Sequence, residues 1–411
     1  MSSAAGALSG LRVLDLGIIT AGAATSQVLA DFGADVVKIE STTYIDPFRN
    51  WSQIAGGGST DLDKSPPFAS TNRGKRSVAI NLKTEAGRQV FLDLVVDCDL
   101  VVENFSRGVL DRLGIGFETL RGVNPRIILL SLSSQGSAGP EAFYVSFGST
   151  LEAIGGAMAL TGYGDGTPPV WTGNNVNYPD QLVSVSSPGL VLAALRARNA
   201  TGDAIHVDAP QREAVTAGVG DTIVRYALTG DLAGAIGNRH KRFAPQGVYP
   251  AADDAWVAIS VQDDTQWQAL RATLRLPEPD AGERGEDRHE GHDEIDALIA
   301  ASTRHRPVGD LVAELQDAGV PASAVLSARD TLEHPQLAAL DFPVVVPDDD
   351  VVQRGFVARL DTLPGAVRRR APRLGEHTRE VLSESLGLDE HRLEELRETG
   401  VIHWNDQVGD P

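Results

Sequence analysis

Short apolar runs alternate with amphipathic segments through the first third of the chain. The run LRVLDLG, from Leu11 to Gly17, predicts a buried strand, and Ala21 to Phe32 carries its apolar residues on one helical face. Gly33 ends this helix, and ADVVKIE, from Ala34 to Glu40, predicts the next strand. A strand, a helix and a second strand in this order predict a βαβ unit with parallel strands.

The same alternation continues beyond this first unit. SVAINL predicts a strand, Glu85 to Val96 a helix and DLVVENF another strand, and the strand PRIILLSLSS follows two short helical segments. We therefore expect an α/β fold with a Rossmann-like, doubly wound parallel sheet. Ligands of such sheets bind outside the carboxyl ends of the strands.

The pattern changes in the second half of the chain. GVYPAADDAWVAISV predicts a hairpin, and helices are predicted near Ile295 to Ser302 and Val308 to Ala318. Between the hairpin and these two helices, residues 277–293 are charged and show no regular spacing of apolar residues, which predicts a surface insertion. Because 411 residues exceed the size of one hydrophobic core, we expect two domains, the second a smaller α+β domain.

The composition excludes several kinds of partner. The formal charge is −20, and such an acidic surface repels nucleic acid and anionic membranes, so we expect neither as a partner. Cys98 is the one cysteine of the chain, which excludes an intramolecular disulfide and a cysteine metal cluster. His289 and His292 lie in the charged insertion, where we expect solvated side chains and no metal site. Without a signal-peptide pattern or an apolar stretch of roughly 20 residues, the sequence predicts a cytoplasmic protein.

One carboxylate, Asp180, stands where a polar loop runs into an apolar helix. TGNNVNYP precedes it, Pro179 fixes the backbone directly before it, and the apolar segment Leu182 to Leu195 follows. A carboxylate in this position typically caps the helix by accepting hydrogen bonds from its first N–H groups. Taken by itself, the segment therefore favours an N-cap.

Basic residues cluster in TNRGKRS, where Arg73, Lys75 and Arg76 lie in a turn before a strand. Such a turn can hold phosphate, but a solvated basic turn has the same composition. In the first βα junction, Gly17 and Gly22 depart from the G-x-G-x-x-G spacing, so they give little support for a nicotinamide enzyme. The chain also lacks a G-x-S-x-G elbow and a Walker A motif, which leaves carboxylate chemistry.

Several separated blocks resemble the class III coenzyme A transferases, the family of formyl-CoA transferase and of the carnitine and bile-acid CoA transferases. The blocks are LSGLRVLDLGIITAGAATSQVLADFGADVVKIE, NRGKRSVAINLKTEAGRQVFLDLVVDCDLVVENFSRGVLDRLGIGFETLRGVNPRIILLSLSSQG, GVYPAADDAWVAISVQDDTQW, DAGVPASAVLSARD and APRLGEHTREVLSESLG. They follow one another in the family's order over essentially the whole chain, which makes a chance match implausible.

The resemblance implies a reaction and a nucleophile. Members of this family transfer CoA from an acyl-CoA to a free carboxylic acid through an aspartate ahead of a helix of small residues. Asp180 matches that aspartate, and Ala193, Ala194 and Leu195 match the helix. By this resemblance, the carboxylate attacks the thioester to give a mixed anhydride, which the released CoA thiolate converts to an aspartyl-CoA thioester. The incoming acid then repeats the anhydride step and leaves as the new thioester.

The resemblance also implies the residues that bind CoA, which is a substrate here and not a tightly bound cofactor. Thr20 and Ala21 match positions near the thioester. The positions that match the contacts of the CoA phosphates and adenine are Asn72, Arg73, Lys75, Asn104, Phe105 and Arg112. Two features depart from the family pattern: Ser41 stands where relatives often have arginine, and NRHKRFAP replaces the glycine-rich loop of formyl-CoA transferase.

The domain organisation implied by the family is discontinuous. Residues 1–200 would form the first part of a large CoA-binding domain, 201–229 a linker helix, 230–320 the small domain and 321–411 the completion of the large domain. Members form interlocked homodimers with the active site at the interface, so we expect a homodimer of this kind.

Two other functions stay open. A racemase of the same superfamily moves an α-proton of a 2-methylacyl-CoA between a histidine and the matching aspartate. The His-Asp pair of those enzymes falls on Phe147 and Gly148, neither of which can carry a proton. The other alternative is a non-catalytic acyl-CoA-binding subunit of a heteromeric transferase, which the presence of Asp180 disfavours.

The acyl group is expected to lie against two segments, Tyr144 to Thr150 and Trp171 to Tyr178. They mix aromatic, amide and small side chains, among them Phe147, Asn174 and Asn175. Such a lining admits a medium or large acid with polar groups at least as readily as formate or oxalate.

Overall fold

The computed structural model describes residues 6–51, 61–164, 166–173, 176–279, 284–349, 351–356 and 358–405. These residues fall into two compact units. The larger unit lies within Met1–Ala157, Trp171–Gly230 and Asp341–Pro411, and the smaller within Met158–Val170 and Asp231–Leu340.

The strands, in chain order, are β1 (Arg12–Asp15), β2 (Asp35–Glu40), β3 (Arg76–Ile80), β4 (Leu100–Glu103), β5 (Ile128–Ser131), β6 (Ile205–Asp208), β7 (Gln246–Pro250), β8 (Trp256–Ser260), β9 (Ala322–Ala324), β10 (Pro343–Val345), β11 (Val352–Arg354) and β12 (Ile402–His403).

The α-helices are α1 (Ala21–Asp31), α2 (Pro66–Asn72), α3 (Glu85–Val95), α4 (Val109–Arg112), α5 (Phe117–Val123), α6 (Gly148–Ile154), α7 (Tyr178–Thr201), α8 (Gln211–Gly218), α9 (Gly220–Thr229), α10 (Asp264–Leu274), α11 (Gly285–Glu290), α12 (His292–Thr303), α13 (Val308–Asp317), α14 (Ala328–Glu333), α15 (Pro335–Ala338), α16 (Thr378–Leu386) and α17 (Glu390–Glu398). A short 3₁₀ helix spans Met158–Leu160.

A mainly parallel sheet organises the larger unit, with the strand order β12-β3-β2-β1-β4-β5-β6. Strands β1 to β6 pair in parallel, and β12 adds antiparallel to β3 at one edge. The α/β fold and the parallel sheet predicted from the alternating pattern are confirmed. Strands β2 and β3 are added on one side of β1, and β4 to β6 on the other side. The strand order therefore reverses between β1 and β4, and sheets of this type bind ligands at such a switch point.

Both faces of this sheet are buried, so its strands are apolar at successive positions. In β4, Leu100 and Val102 pack into one hydrophobic cluster while Val101 packs into the other. The strand β1 divides in the same way, with Val13 on one side and Leu14 on the opposite one. Continuous apolar runs rather than a polar alternation are the expected pattern for a parallel sheet covered on both sides.

Helices α1 and α7 pack against each other on one face of the sheet. Nearly all of α1 is buried, and α7 buries Val183, Ser187, Val191 and Ala194. The small side chains on both helices allow a close approach of the two backbones.

The smaller unit contains the three-stranded antiparallel sheet β7-β8-β9. Its core is a cluster in which Trp267 of α10, Ile295 and Ile299 of α12 and Leu311 of α13 are fully buried with the sheet residue Val257.

The observed division of the chain differs from the expected one at three places. Met158–Val170, expected in the large domain, falls in the smaller unit. The segment 201–229 is not a linker helix, because Ile205–Asp208 pairs with β5 in the large sheet and α8 and α9 follow it. The smaller unit extends past residue 320, because Ala322–Ala324 pairs with β8.

Part of the predicted charged insertion is helical and packed. Residues 280–283 lie outside the described residues, but α11 follows them and buries Arg288, which donates to the Ala244 carbonyl at 2.9 Å. His292 is buried at the start of α12, where its Nε2 accepts the Gln246 N–H at 3.2 Å. The expectation that this histidine is solvated is therefore wrong, because its ring is buried and its nitrogen is hydrogen-bonded to the first residue of β7.

The described helices include none that is both long and apolar enough to cross a bilayer. Over the same residues, no group of three or more His, Cys, Asp or Glu side chains is arranged to hold a metal ion.

Candidate active site

A cavity of about 630 Å³ opens at the carboxyl edge of the large sheet. Its walls come from the segments directly after β1, β2, β3 and β4 and from residues around the start of α6. Ser134, Asp180 and Gln211 complete the lining. The cavity therefore lies at the switch between β1 and β4, the position that the fold itself favours for a ligand.

Asp180 is the third residue of α7, and its carboxylate does not cap that helix. Asn177 holds the N-cap position, and its side chain makes no capping hydrogen bond. The Asp180 carboxylate instead accepts hydrogen bonds from the backbone N–H of Ala21, the first residue of α1, and from the Gln211 side chain. The N-cap suggested by the local sequence is thus wrong. A helix N-terminus, with its positive dipole end, faces a carboxylate that belongs to another helix.

Burial raises the pKa of Asp180 from 3.8 to about 6, because loss of water disfavours the ionised form. The hydrogen bonds from Ala21 and Gln211 act against burial and lower the pKa. At neutral pH the side chain is still mainly ionised, yet it is more basic than an exposed aspartate. An ionised, poorly hydrated carboxylate that faces a cavity is suited to act as a nucleophile or as a base.

Two glycines allow α1 to begin close to the end of β1. A Cβ on Gly17 would lie 2.5 Å from the carbonyl carbon of Gly22, and a Cβ on Gly22 would lie 2.7 Å from the Gly17 Cα. Either side chain would push the backbone apart. The spacing of these glycines thus serves the packing of the first βα junction.

Thr20 and Ala21 lie in this junction and are buried. The Thr20 hydroxyl accepts a hydrogen bond from the Asn177 amide at 3.4 Å, which ties the junction to the loop before α7. Within the described chain, neither residue contributes to the cavity lining, and Ala21 acts on the site through the N–H that it offers to Asp180.

Asn104 and Phe105 follow β4 and line the cavity. The Asn104 side chain makes two hydrogen bonds to the backbone of Ile18. Its amide oxygen accepts the Ile18 N–H at 2.8 Å, and its amide nitrogen donates to the Ile18 carbonyl at 3.0 Å. The Phe105 N–H donates to the Glu103 carboxylate at 2.7 Å. Burial raises the pKa of Glu103 to about 7. These contacts fix the turn after β4 against the turn after β1.

Arg73 lies inside the fold and away from the cavity lining. Its guanidinium is fully buried and forms two bonds to Asp31, at 3.2 and 2.9 Å. Another nitrogen donates to the carbonyl of Arg354 in β11. Although Arg73 stands beside it, burial raises the pKa of Asp31. The guanidinium therefore holds two parts of the larger unit together.

Asn72 and Lys75 are fully buried as well. The Lys75 ammonium donates to the Asp15 carboxylate at 2.8 Å, to the Ala23 carbonyl at 2.8 Å and to the Asn72 amide oxygen at 2.7 Å. These three bonds use all of its donors, and burial lowers the pKa of this lysine to about 8. The Asn72 amide nitrogen donates to the Phe68 carbonyl at 3.1 Å. Neither side chain lines the cavity.

In the part of the chain that the structure describes, the basic residues of the cavity lining are Lys38 and Lys83. Lys83 follows β3, lines the cavity and is exposed, whereas Arg112 is exposed at the end of α4, a helix whose Val109 contributes to the lining. Lys83 was not among the residues selected from the sequence. Its place directly after the third strand of a parallel sheet was the available signal, because the carboxyl ends of these strands meet at one edge.

Phe147 and Gly148, the positions that the resemblance matches to the His-Asp pair of the racemases, line the cavity. Val145 and Leu151 extend this wall, so the segment Tyr144 to Thr150 reaches the cavity as expected. The second expected segment, Trp171 to Tyr178, is different. Its described residues do not contribute to the lining, and Asn174 and Asn175 lie outside the described residues.

Comparison with known proteins gives the same family over nearly the whole chain. The profile of CoA-transferase family III matches residues 8–378. The succinyl-CoA–D-citramalate CoA-transferase of Chloroflexus aurantiacus is 35% identical over 401 residues, which cover 96% of this chain and 98% of that protein. The succinyl-CoA:mesaconate CoA-transferase of Haloarcula marismortui is 33% identical over 399 residues, which cover 93% of this chain and 97% of that protein.

Solved structures agree with the sequence relatives. A CaiB/BaiF family protein from Brucella suis superposes with a TM-score of 0.84 at 29% identity, and the match covers 93% of this chain and 100% of that chain. The profile match and the near full-length relatives lead to one conclusion: the chain belongs to CoA-transferase family III.

Proposed function

We propose that this protein transfers coenzyme A from an acyl-CoA thioester to a free carboxylic acid, with Asp180 as the nucleophile. The observation that carries the proposal is the place of the Asp180 carboxylate. It lines the cavity, it is held at the N-terminus of α1, and it belongs to a chain of a CoA-transferase family.

In the proposed reaction, an Asp180 oxygen attacks the thioester carbonyl, the C–S bond breaks and CoA leaves as a thiolate. The product is a mixed anhydride between Asp180 and the acyl group. The thiolate attacks the aspartyl carbonyl of the anhydride, which releases the donor acid and leaves an aspartyl-CoA thioester. The acceptor carboxylate then displaces CoA to form a second anhydride, and the thiolate takes the new acyl group and frees Asp180.

The cavity edge supports the binding of CoA by Lys83, Asn104 and Phe105. CoA carries several negative charges, and the exposed Lys83 supplies a positive charge on a chain of net charge −20. We place Arg112 at the outer rim of the same site. Because Asn72, Arg73 and Lys75 are buried and hydrogen-bonded inside the fold, we give them a structural role instead.

The relatives direct the choice of substrates. The names of the Chloroflexus aurantiacus and Haloarcula marismortui relatives give succinyl-CoA as one substrate and citramalate or mesaconate as the other. Since citramalate and mesaconate are dicarboxylic acids, we propose a dicarboxylic acid as acceptor and succinyl-CoA as donor. A cavity of about 630 Å³ also accommodates acids of this size together with part of CoA.

The lining favours transfer over racemisation. A racemase needs a second acid or base opposite the aspartate, and Phe147 and Gly148 offer none at the corresponding place. A non-catalytic subunit would have no need of a desolvated carboxylate held by Ala21 and Gln211.

We further propose an interlocked homodimer that works on a cytoplasmic acyl-CoA pool. Helix α9 supports the dimer, because Ile223, Val224, Tyr226 and Leu228 are all exposed on it. A helix that exposes several large apolar side chains is typical of a protein interface.

The first test removes the nucleophile. Asp180→Ala and Asp180→Asn are expected to lower the rate of CoA exchange by on the order of 10³-fold or more, because no other residue replaces an attacking group. After incubation with succinyl-CoA, hydroxylamine or borohydride trapping and peptide mass spectrometry should locate one modified aspartate in the wild-type chain and none in the variants. Asp203→Asn, at an exposed aspartate, is the control. Normal exchange by Asp180→Ala would refute the proposed mechanism.

The second test is the pH dependence of the trapping reaction. Attack requires the ionised carboxylate, whose fraction rises with pH through a pKa of about 6. The single-turnover rate should therefore be constant well above pH 6 and fall about tenfold per pH unit below it. A limb centred near 4, the value of an exposed aspartate, would contradict a desolvated nucleophile.

The third test separates cavity residues from structural ones. Lys83→Ala should raise the KM for the acyl-CoA by about tenfold at low ionic strength and less at high salt, with little change in kcat. Lys64→Ala is the matched control, since Lys64 is 78% exposed and lies outside the cavity lining.

For the same comparison, Arg73→Met should lower the free energy of unfolding by about 3 to 5 kcal/mol, because it leaves the Asp31 carboxylate buried without its partner. Urea denaturation measures this change. An Arg73→Met protein of unchanged stability but raised KM would instead place Arg73 at the CoA.

The fourth test concerns assembly. Light scattering should give twice the chain mass of 43.6 kDa, and the value should not fall on dilution, because interlocked chains cannot separate without unfolding. The double variant Val224→Asp and Leu228→Asp should reduce dimer yield through burial of unpaired charge. A fully active wild-type monomer would refute the dimer.

A further inference from the structure

The turn from Gly17 to Thr20 is held by side chains from several other elements. The Gly17 N–H donates to Asp15 at 2.8 Å, the Ile18 N–H to Asn104 at 2.8 Å and the Ile19 N–H to Asp46 at 3.1 Å. The Gly17 carbonyl accepts from the Lys38 ammonium at 2.5 Å. Side chains of β1 and β2 and of the segments after β2 and β4 thus replace water along this backbone.

The conformation that these contacts hold is unfavourable by itself. Ile19 has φ +59°, in the left-handed region, although its side chain is β-branched. In that region the Cβ of an L-residue crowds its own backbone, and β-branched residues are genuine outliers there. Such a conformation persists only when the surrounding structure enforces it.

The strained residue is contacted at two points: the Thr71 hydroxyl donates to its carbonyl at 3.4 Å, and Asp46 accepts its N–H. The Asp46 Oδ1 accepts both the Ile19 N–H and the Phe48 N–H, the latter at 3.0 Å. Its Oδ2 forms an ion pair with Lys38 at 3.2 Å, and both side chains are buried. Lys38 in turn bonds the Gly17 carbonyl, so the pair holds the turn at two points.

We propose that Asp46 is a positioning residue for CoA transfer: by holding Ile19 in the left-handed conformation, it directs the Ala21 N–H at the Asp180 carboxylate. The inference rests on the proposed function of Asp180. Two peptide units separate Ile19 from the Ala21 N–H, and relaxation of Ile19 to negative φ reorients both. Asp180 then loses a hydrogen bond that lowers its pKa.

A double-mutant cycle of Asp46→Ala and Ile19→Gly tests the proposal. In the wild-type background, Asp46→Ala should lower kcat for CoA exchange by on the order of 10- to 100-fold and move the acid limb of the pH profile to higher pH. In the Ile19→Gly background the same substitution should have a much smaller effect. Glycine adopts positive φ as readily as negative φ, so it needs no support from Asp46.

Equal effects of Asp46→Ala in the two backgrounds, or an acid limb that does not move, would overturn the positioning role. If Asp46→Ala alone does not fold, a folded and active Asp46→Ala/Ile19→Gly protein supports the proposal, and failure of both variants to fold overturns it. Asp46→Asn retains an oxygen that accepts the Ile19 N–H, so its acid limb should lie nearer to wild type than that of Asp46→Ala.

A readout without turnover separates this inference from the proposed function. Titration of the ¹³C-labelled Asp180 carboxyl by NMR should give a higher pKa in Asp46→Ala than in the wild-type protein. That shift is expected even if the protein transfers no CoA, in which case only the proposed function fails. An unchanged Asp180 pKa in a folded Asp46→Ala protein would overturn the positioning role alone.

Discussion

The contact between the Asp180 carboxylate and the N-terminus of α1 is the interaction on which the site depends. Burial alone would raise the pKa of this aspartate still further, whereas full hydration would make it a weakly basic anion. The hydrogen bonds from Ala21 and Gln211 hold its pKa at about 6. At pH 7 about nine-tenths of the molecules then carry an ionised, poorly hydrated carboxylate. The packing of α1 on α7 sets this balance.

Buried ion pairs surround that contact at the carboxyl edge of the sheet. Lys75 pairs with Asp15 and Lys38 with Asp46, and both lysines also bond carbonyls of the β1–α1 segment. Burying such pairs rarely adds net stability, because desolvation offsets most of the attraction. What they provide here is a fixed backbone geometry beside Asp180. Among the described residues, two lysines line the cavity: Lys38 is buried in its ion pair with Asp46, whereas Lys83 is exposed.

The sheet could be predicted from the sequence because both of its faces are buried, so each strand is an apolar run. The role of Asp180 could not be predicted locally, since its partner Ala21 lies on a helix far away in the chain. Arg73 and Lys83 show the same limit. Arg73 precedes β3 and Lys83 follows it, and the local sequence does not show which of them reaches the cavity. Arg73 and its neighbour Lys75 turn inward because the carboxylates of Asp31 and Asp15 lie inside the fold. Ile19 is harder still, because its residue type argues against the conformation that it adopts.

The choice of isoleucine at that strained position has a physical reason in the cavity. The proposed anhydride and thioester intermediates react with water, so the site needs walls that exclude it. Ile18, Ile19, Phe147 and Leu151 all line the cavity with apolar side chains. Glycine at position 19 would relieve the backbone but would remove part of this wall. A β-branched residue held at positive φ by Asp46 keeps both the direction of the Ala21 N–H and the barrier to water, at the cost of local strain.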